Sequence, residues 1–151
     1  MAQQLGRAGF RVKVQSADFD TSILARVSPN ANPPFDFDAA ILGWTRSGVD
    51  PDPFALFHSS QIPTQAAPDL LNFTGFSAPE YDSLAIEGRS TYDYARRKDI
   101  YARTQEIVAD QLPYYFLWAE KFGVVASPKL QGDIDFASPL YLWNADRWWI
   151  K

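Results

Sequence analysis

Cysteine is absent from the chain, which excludes disulfides and thiolate metal sites and leaves the redox compartment open. Histidine occurs once, at His58, so a zinc site built from several imidazoles is excluded as well. No apolar run approaches the roughly 18 residues that a membrane helix needs. Cationic charge is in short supply: 14 Lys and Arg against 18 Asp and Glu give a net charge of −4. Nucleic-acid binding depends on clustered Lys and Arg, so that class is set aside. The opening residues, MAQQLGRAG, lack the apolar run of a signal peptide. An exported parent would therefore carry its targeting segment outside these residues.

What is abundant is aromatic surface. The 151 residues include 5 Trp, 7 Tyr and 11 Phe, or 15%, enough for either a dense core or a recognition cleft. The chain has the size of one domain or of a lobe of something larger. Residues 2–8 read as the end of a helix stopped by Gly9. Residues 10–17 (FRVKVQSA) put Phe10, Val12 and Val14 on one face of a strand. Asp18 caps a helix to about Val27, and residues 37–44 form a second strand whose AAIL core is covered on both faces. Strand, helix and strand of this length make a right-handed βαβ unit. Pro53 to Phe57 suits a single helical turn. Ser77 and Glu80 have the spacing of a capping box for a helix to about Gly88, and Asp93 starts another that Pro113 ends. Residues 112–127 read as a strand pair broken near Glu120 and Lys121. Residues 128–151 are loop-like, with a short strand at 140–143 and three Trp that no obvious element buries. Exposed aromatic clusters mark an interface, which points to a part of a larger protein.

The chemistry concentrates where the second strand ends. Strand ends that open into polar loops are where α/β proteins bind ligands, and this one carries Trp44, Thr45, Arg46, Ser47, Asp50 and Asp52. Trp44 either lines a cleft or packs under the loop. Asp50 and Asp52 each precede a proline and are placed to cap the following turn. As a calcium pair they are weak, since two carboxylates alone hold the ion poorly. Phe57 and His58 are further candidates to line a cleft. His58 with Ser59 and Ser60 lacks the G-x-S-x-G elbow and the spacing of a catalytic triad, so no catalytic residue is assigned. Asn72, Phe73 and Thr74 face either a ligand or the packed loop. The Arg96-Arg97-Lys98 run is a solvated helix face.

Taken in order, several segments resemble the C-terminal third of extracytoplasmic solute-binding proteins of the peptide/nickel family (family 5), the receptors of ABC importers. They are QQLGRAGFRVKVQ (3–15), FDFDAAILGW (35–44), DPDPFALFHSS (50–60), NFTGFSAPEYDSL (72–84), YARRKDIYARTQEIVADQLPYYFLW (94–118) and YLWNADRWWIK (141–151). The resemblance implies an α/β fold, the C-terminal lobe of a bilobed, class II periplasmic-binding-protein-like receptor. A βαβ core with extra helices and a returning β tail is expected. Residues 1–112 would form the ligand-binding lobe, and 113–151 the return crossing, hinge strands and tail that pack on the other lobe. The implied function is capture of a small solute for a membrane permease, without catalysis, cofactor or metal, in a periplasmic or extracellular setting. Ligand-binding candidates are Trp44, Thr45, Arg46, Ser47, Asp50, Phe57 and His58. Family peptide receptors often place an Asp three residues after the Trp to hold an amine, whereas this chain has Ser47 there. A buried ammonium needs a paired carboxylate. Asp50 takes that role, or the ligand is not anchored by an amine, or Arg46 meets an anionic group. Oligopeptide is the favoured class; sugars, opines and metal chelates stay open. The alternative is an interaction or regulatory domain whose aromatic tail contacts protein, including another copy of the chain.

Overall fold

Helix caps and one aromatic core organise the computed structural model, which describes residues 1–27, 37–44, 52–119, 125–134 and 142–151. The chain divides into two units, Met1–Leu42 with Pro63–Asp69, and Gly43–Ile62 with Leu70–Lys151.

The first unit opens with α1 (Ala2–Arg7), where the expected stop at Gly9 is realised with φ 93°. The Phe10 amide reaches back to the Leu5 carbonyl at 3.1 Å, closing the helix end. Asp18 caps the next element as expected: its Oδ1 accepts from the Thr21 amide at 2.9 Å and the Thr21 hydroxyl at 2.7 Å. One wide turn (Phe19–Ile23) leads into α2 (Leu24–Val27), which buries Val27. The Arg26 guanidinium lies over the Phe37 ring.

The strands expected at 10–17 and 37–44 do not form, so the βαβ core is not built as a hydrogen-bonded ladder among the described residues. A strand is stable only when a neighbour completes its ladder. With none there, Phe10, Val12 and Val14 stay exposed on the face that the alternation marks for burial.

The second unit holds the packed core. Pro53 stands at the N-cap of α3 (Phe54–Phe57), and in the turn before it Asp52 Oδ1 accepts from the Phe54 amide at 3.0 Å. A single 3-10 turn (Ser59–Gln61) follows. Helices α4 (Pro79–Ser90) and α5 (Tyr94–Gln111) form an αα-hairpin. Asp93 caps α5 by accepting from the Arg96 amide at 3.0 Å. Leu112 ends it in the left-handed region at φ 45°, because the residue before Pro113 is kept from continuing the helix. The expected capping box on α4 does not form. Ala78 occupies the cap, and Glu80 instead holds Arg103 of α5 at 2.7 Å. Glu87 with Arg96 at 2.6 Å makes a second clip between the helices.

Gly88 is where the helices meet closely: a Cβ there would lie 3.2 Å from Ile100 and from the Tyr101 ring. The core joins Phe57, Phe76, Ala78, Tyr81, Ala85, Ile107 and Val108. The Phe57 ring meets Phe76, Tyr81 and Tyr114 edge to face, at centroid distances of 6.0, 6.0 and 5.7 Å.

Past Pro113, residues 114–119 and 125–127 carry no strand, and Glu120 and Lys121 lie outside the described residues. The tail pairs where a loop was expected. β1 (Leu130–Gly132) and β2 (Trp148–Ile150) run antiparallel, with Gln131 opposite Trp149. Gly132 sits at φ 120° against the Arg147 carbonyl, a place with no room for a Cβ. Of the strand expected at 140–143, Leu142 and Trp143 lie in a turn, and residues 140–141 are outside the described set.

Candidate functional site

Trp44 stands at the end of the apolar run AAIL and remains 37% exposed. Its indole stacks on the Phe73 ring at 5.7 Å between centroids and 29° between planes. The Tyr114 side chain lies beside it: burial pushes the Tyr114 hydroxyl pKa up, and Trp44 acts in the opposite direction. Two stacked rings, one of them partly exposed, make an apolar platform of the kind that takes up flat or aliphatic groups.

Phe73 is half-buried, and Asn72 sets its place. Asn72 is fully buried and uses both ends of its amide. Its Nδ2 donates to the carbonyls of His58 at 3.1 Å and Phe76 at 2.8 Å. Its Oδ1 accepts from the Phe76 amide at 3.1 Å and the Thr74 hydroxyl at 3.2 Å. Its own backbone amide donates to Gln61. One side chain thus ties residues 72–76 to the segment after α3, and Phe73 is carried along. Sequence reading named Asn72 and Phe73 but left them between ligand and loop; Asn72 serves the loop and Phe73 serves Trp44. The Asn-Phe-Thr-Gly string, a turn former able to bond its own backbone, was the signal available.

Asp82 was missed. From the first turns of α4 it accepts from the Ser59 amide at 2.9 Å and the Ser59 hydroxyl at 2.6 Å. Nothing local marks it, because its partner lies 23 positions away.

The other candidates divide plainly. Thr45, Arg46, Ser47 and Asp50 lie outside the described residues. Phe57 is in the core, with its ring packed on other rings. His58 is also buried, stacked on Phe54 at 4.2 Å, and its Nδ1 accepts from the Ser60 amide at 3.0 Å. Ser59 is bonded to Asp82 rather than to the imidazole, so His58, Ser59 and Asp82 are not arranged as nucleophile, base and orienter. Asp52 accepts from the Phe54 amide in the turn before α3 and pairs with Arg89 at 3.1 Å, and Arg89 covers the Phe54 ring at 4.3 Å. Among the described residues no group of three or more His, Asp or Glu converges to hold a metal ion. None of their helices is long and apolar enough to cross a membrane.

No protein-family model matches the chain. It is 28% identical over 148 residues to the oligopeptide-binding protein AppA of Bacillus subtilis (strain 168), a match covering 98% of this chain and 25% of that protein. The solved structure of AppA in complex with a nonapeptide matches with a TM-score of 0.67 and 27% identity, over 99% of this chain and 27% of that one. The chain thus spans about a quarter of the length of the relative it matches. Over nearly all its residues it is homologous to AppA, a family 5 solute-binding protein, and it shares that protein's periplasmic-binding-protein-like fold.

Proposed function

We propose that this chain supplies C-terminal lobe structure to an extracytoplasmic receptor that captures oligopeptide and delivers it to an ABC permease. The observation that carries the reading is the homology to an oligopeptide-binding protein whose solved structure holds a nonapeptide. In this reading residues 1–112 belong to the ligand-binding lobe and 113–151 return toward the other lobe. The receptor works by binding and closure rather than by catalysis. Peptide enters between the lobes, the closed form is favoured by its greater affinity, and the closed form docks on the permease.

Within the lobe, the Trp44–Phe73 stack offers the apolar surface. Thr45 and Ser47 supply hydrogen bonds, and Asp50 or Arg46 the charge. Phe57 and His58 act from behind, holding the segment against which the platform is built. Aromatic rings suit a receptor for varied peptides, because they contact side chains by area rather than by a fixed hydrogen-bond pattern.

The test is calorimetric titration of the full-length receptor, of which this chain supplies one lobe, with mixed di- to pentapeptides, repeated with Trp44→Ala. The chain alone, lacking the other lobe, is expected to bind weakly or not at all. Peptide heat that weakens by up to about tenfold in the variant is expected, the scale of a lost aromatic contact. No heat with any peptide overturns the oligopeptide reading and moves the ligand to sugars, opines or chelates. A second reading, protein contact through the tail, is favoured by one observation: Trp143 and Trp149 are 52% and 61% exposed. A stable dimer that buries both would support it.

A further inference from the structure

The surroundings of His58 are those of a side chain whose protonation state matters to its neighbours. Its Nδ1 accepts the Ser60 N–H at 3.0 Å, so that lone pair is in use and the neutral ring carries its proton on Nε2. Nε2 is buried without a hydrogen-bond partner among the described residues and lies 4.0 Å from Asp82 Oδ1. That carboxylate is engaged by the Ser59 amide and hydroxyl at 2.9 and 2.6 Å. One face of the imidazole is stacked on Phe54, whose ring also carries the Arg89 guanidinium at 4.3 Å.

The charged groups around the ring are few. Helix α4 contributes Asp82 directly and Arg89 through Phe54, and the start of α3 contributes Asp52, which pairs with Arg89 at 3.1 Å. The turn that follows His58, Ser59–Gln61, and the segment 72–76 carry no charged side chain.

We propose that His58 is a proton-responsive fastener for the turn at Ser59–Gln61 and, through Asn72, for the Phe73 side of the platform. A proton taken from solvent onto Nδ1 turns that atom from acceptor to donor, and the Ser60 N–H loses its partner. The imidazolium is then drawn to Asp82, where it competes with both Ser59 bonds for the same carboxylate. The turn loosens at two points together. Because the His58 carbonyl accepts from Asn72 Nδ2 at 3.1 Å, the loosening reaches the segment that positions Phe73 against Trp44.

The proposal rests on the receptor reading only for its consequence, a ligand face that slackens in acid. Its structural core is tested without any ligand. Amide and imidazole resonances of the protein are followed by NMR from about pH 8 to pH 5, the range in which histidine changes charge. The Ser59 and Ser60 amides are expected to titrate with the His58 ring, and the protection factor of the Ser60 amide, its exchange rate relative to the intrinsic rate at each pH, to fall about tenfold once the ring is charged. His58→Asn keeps an acceptor for the Ser60 N–H without a titrating group, so its Ser60 amide should be flat across the same range. A wild-type Ser60 amide that ignores the His58 midpoint overturns the proposal, and so does an unchanged inflection in H58N. Should H58N fail to fold, the wild-type titration decides alone. Peptide calorimetry on the full-length receptor at both ends of the range separates the two readings, since amide coupling in this chain without peptide heat in the full-length receptor leaves the fastener standing and the receptor reading refuted.

Discussion

Single side chains hold the candidate site together. Asn72 satisfies three backbone groups from a fully buried position, so truncation leaves the His58 and Phe76 carbonyls and the Phe76 amide without it. Asn72→Ala is expected to destabilise the protein by about 2–4 kcal/mol in denaturant unfolding, several buried polar groups being affected together. A loss below 0.5 kcal/mol, or about that, would mean water replaces the amide at no cost. Tyr81 presents the opposite case. Its ring is fully buried, and its hydroxyl has no hydrogen-bond partner among the described residues. Burial first, and then the Asp52 and Asp82 charges, raise its pKa far above the usual phenol value. Tyr81→Phe removes the orphaned oxygen and keeps the packing, so it should stabilise by about 1 kcal/mol. A destabilised Y81F would show that the hydroxyl is bonded in solution.

At the scale of elements, the helical hairpin is clipped by charge and by fit. Glu80 and Glu87 are held below the ordinary glutamate pKa of 4.5, first by their hydrogen bonds to Arg103 and Arg96. The unfolded chain therefore takes up these protons at a higher pH than the folded chain does. Stability from the two clips is present above pH 4.5 and is lost as pH falls through the lower folded values. Acid unfolding monitored by circular dichroism should show this as a falling limb, and the E80Q/E87Q double variant should flatten it. Both clips are solvent-exposed, so the limb should also shrink at high salt. Asp93→Ala removes the cap of α5 and should cost about 1 kcal/mol, read as a shift in the denaturation midpoint. At Gly88 any larger residue meets Ile100 and Tyr101, and Gly88→Val should cost about 1–3 kcal/mol or force the helices apart.

At the scale of the whole chain, apolar surface is left uncovered. Phe116 and Trp118 are 63% and 67% exposed, and Phe10 and Val14 stand out similarly. Such surface favours association, so sedimentation at rising concentration is expected to show reversible self-association that Trp118→Ser weakens. A monodisperse monomer at high concentration would contradict this. Local signals were legible in the sequence wherever the stabilising partner lies within a turn or so: the Asp18 and Asp93 caps, the Asp52 bond to the Phe54 amide, the Gly9 stop and the Pro113 stop. The family resemblance was legible too, and AppA matches over nearly the whole chain. The α/β class came with that resemblance. Wherever the partner is distant, the sequence was silent or misleading. Alternation at 10–17 marked a strand, but a ladder needs a second strand to accept it. Glu80 had the spacing of a capping box, yet Arg103 of the facing helix offered a charged partner. Asp82 reached Ser59 across 23 positions, and Phe73 met Trp44 only because Asn72 folded its segment back. Sequence alone settled what the backbone does with its nearest neighbours, because those energies depend on residues a few positions apart. Tertiary structure alone decided which rings stack, which carboxylates pair and which His58 nitrogen faces Asp82, because those depend on groups that only folding brings together.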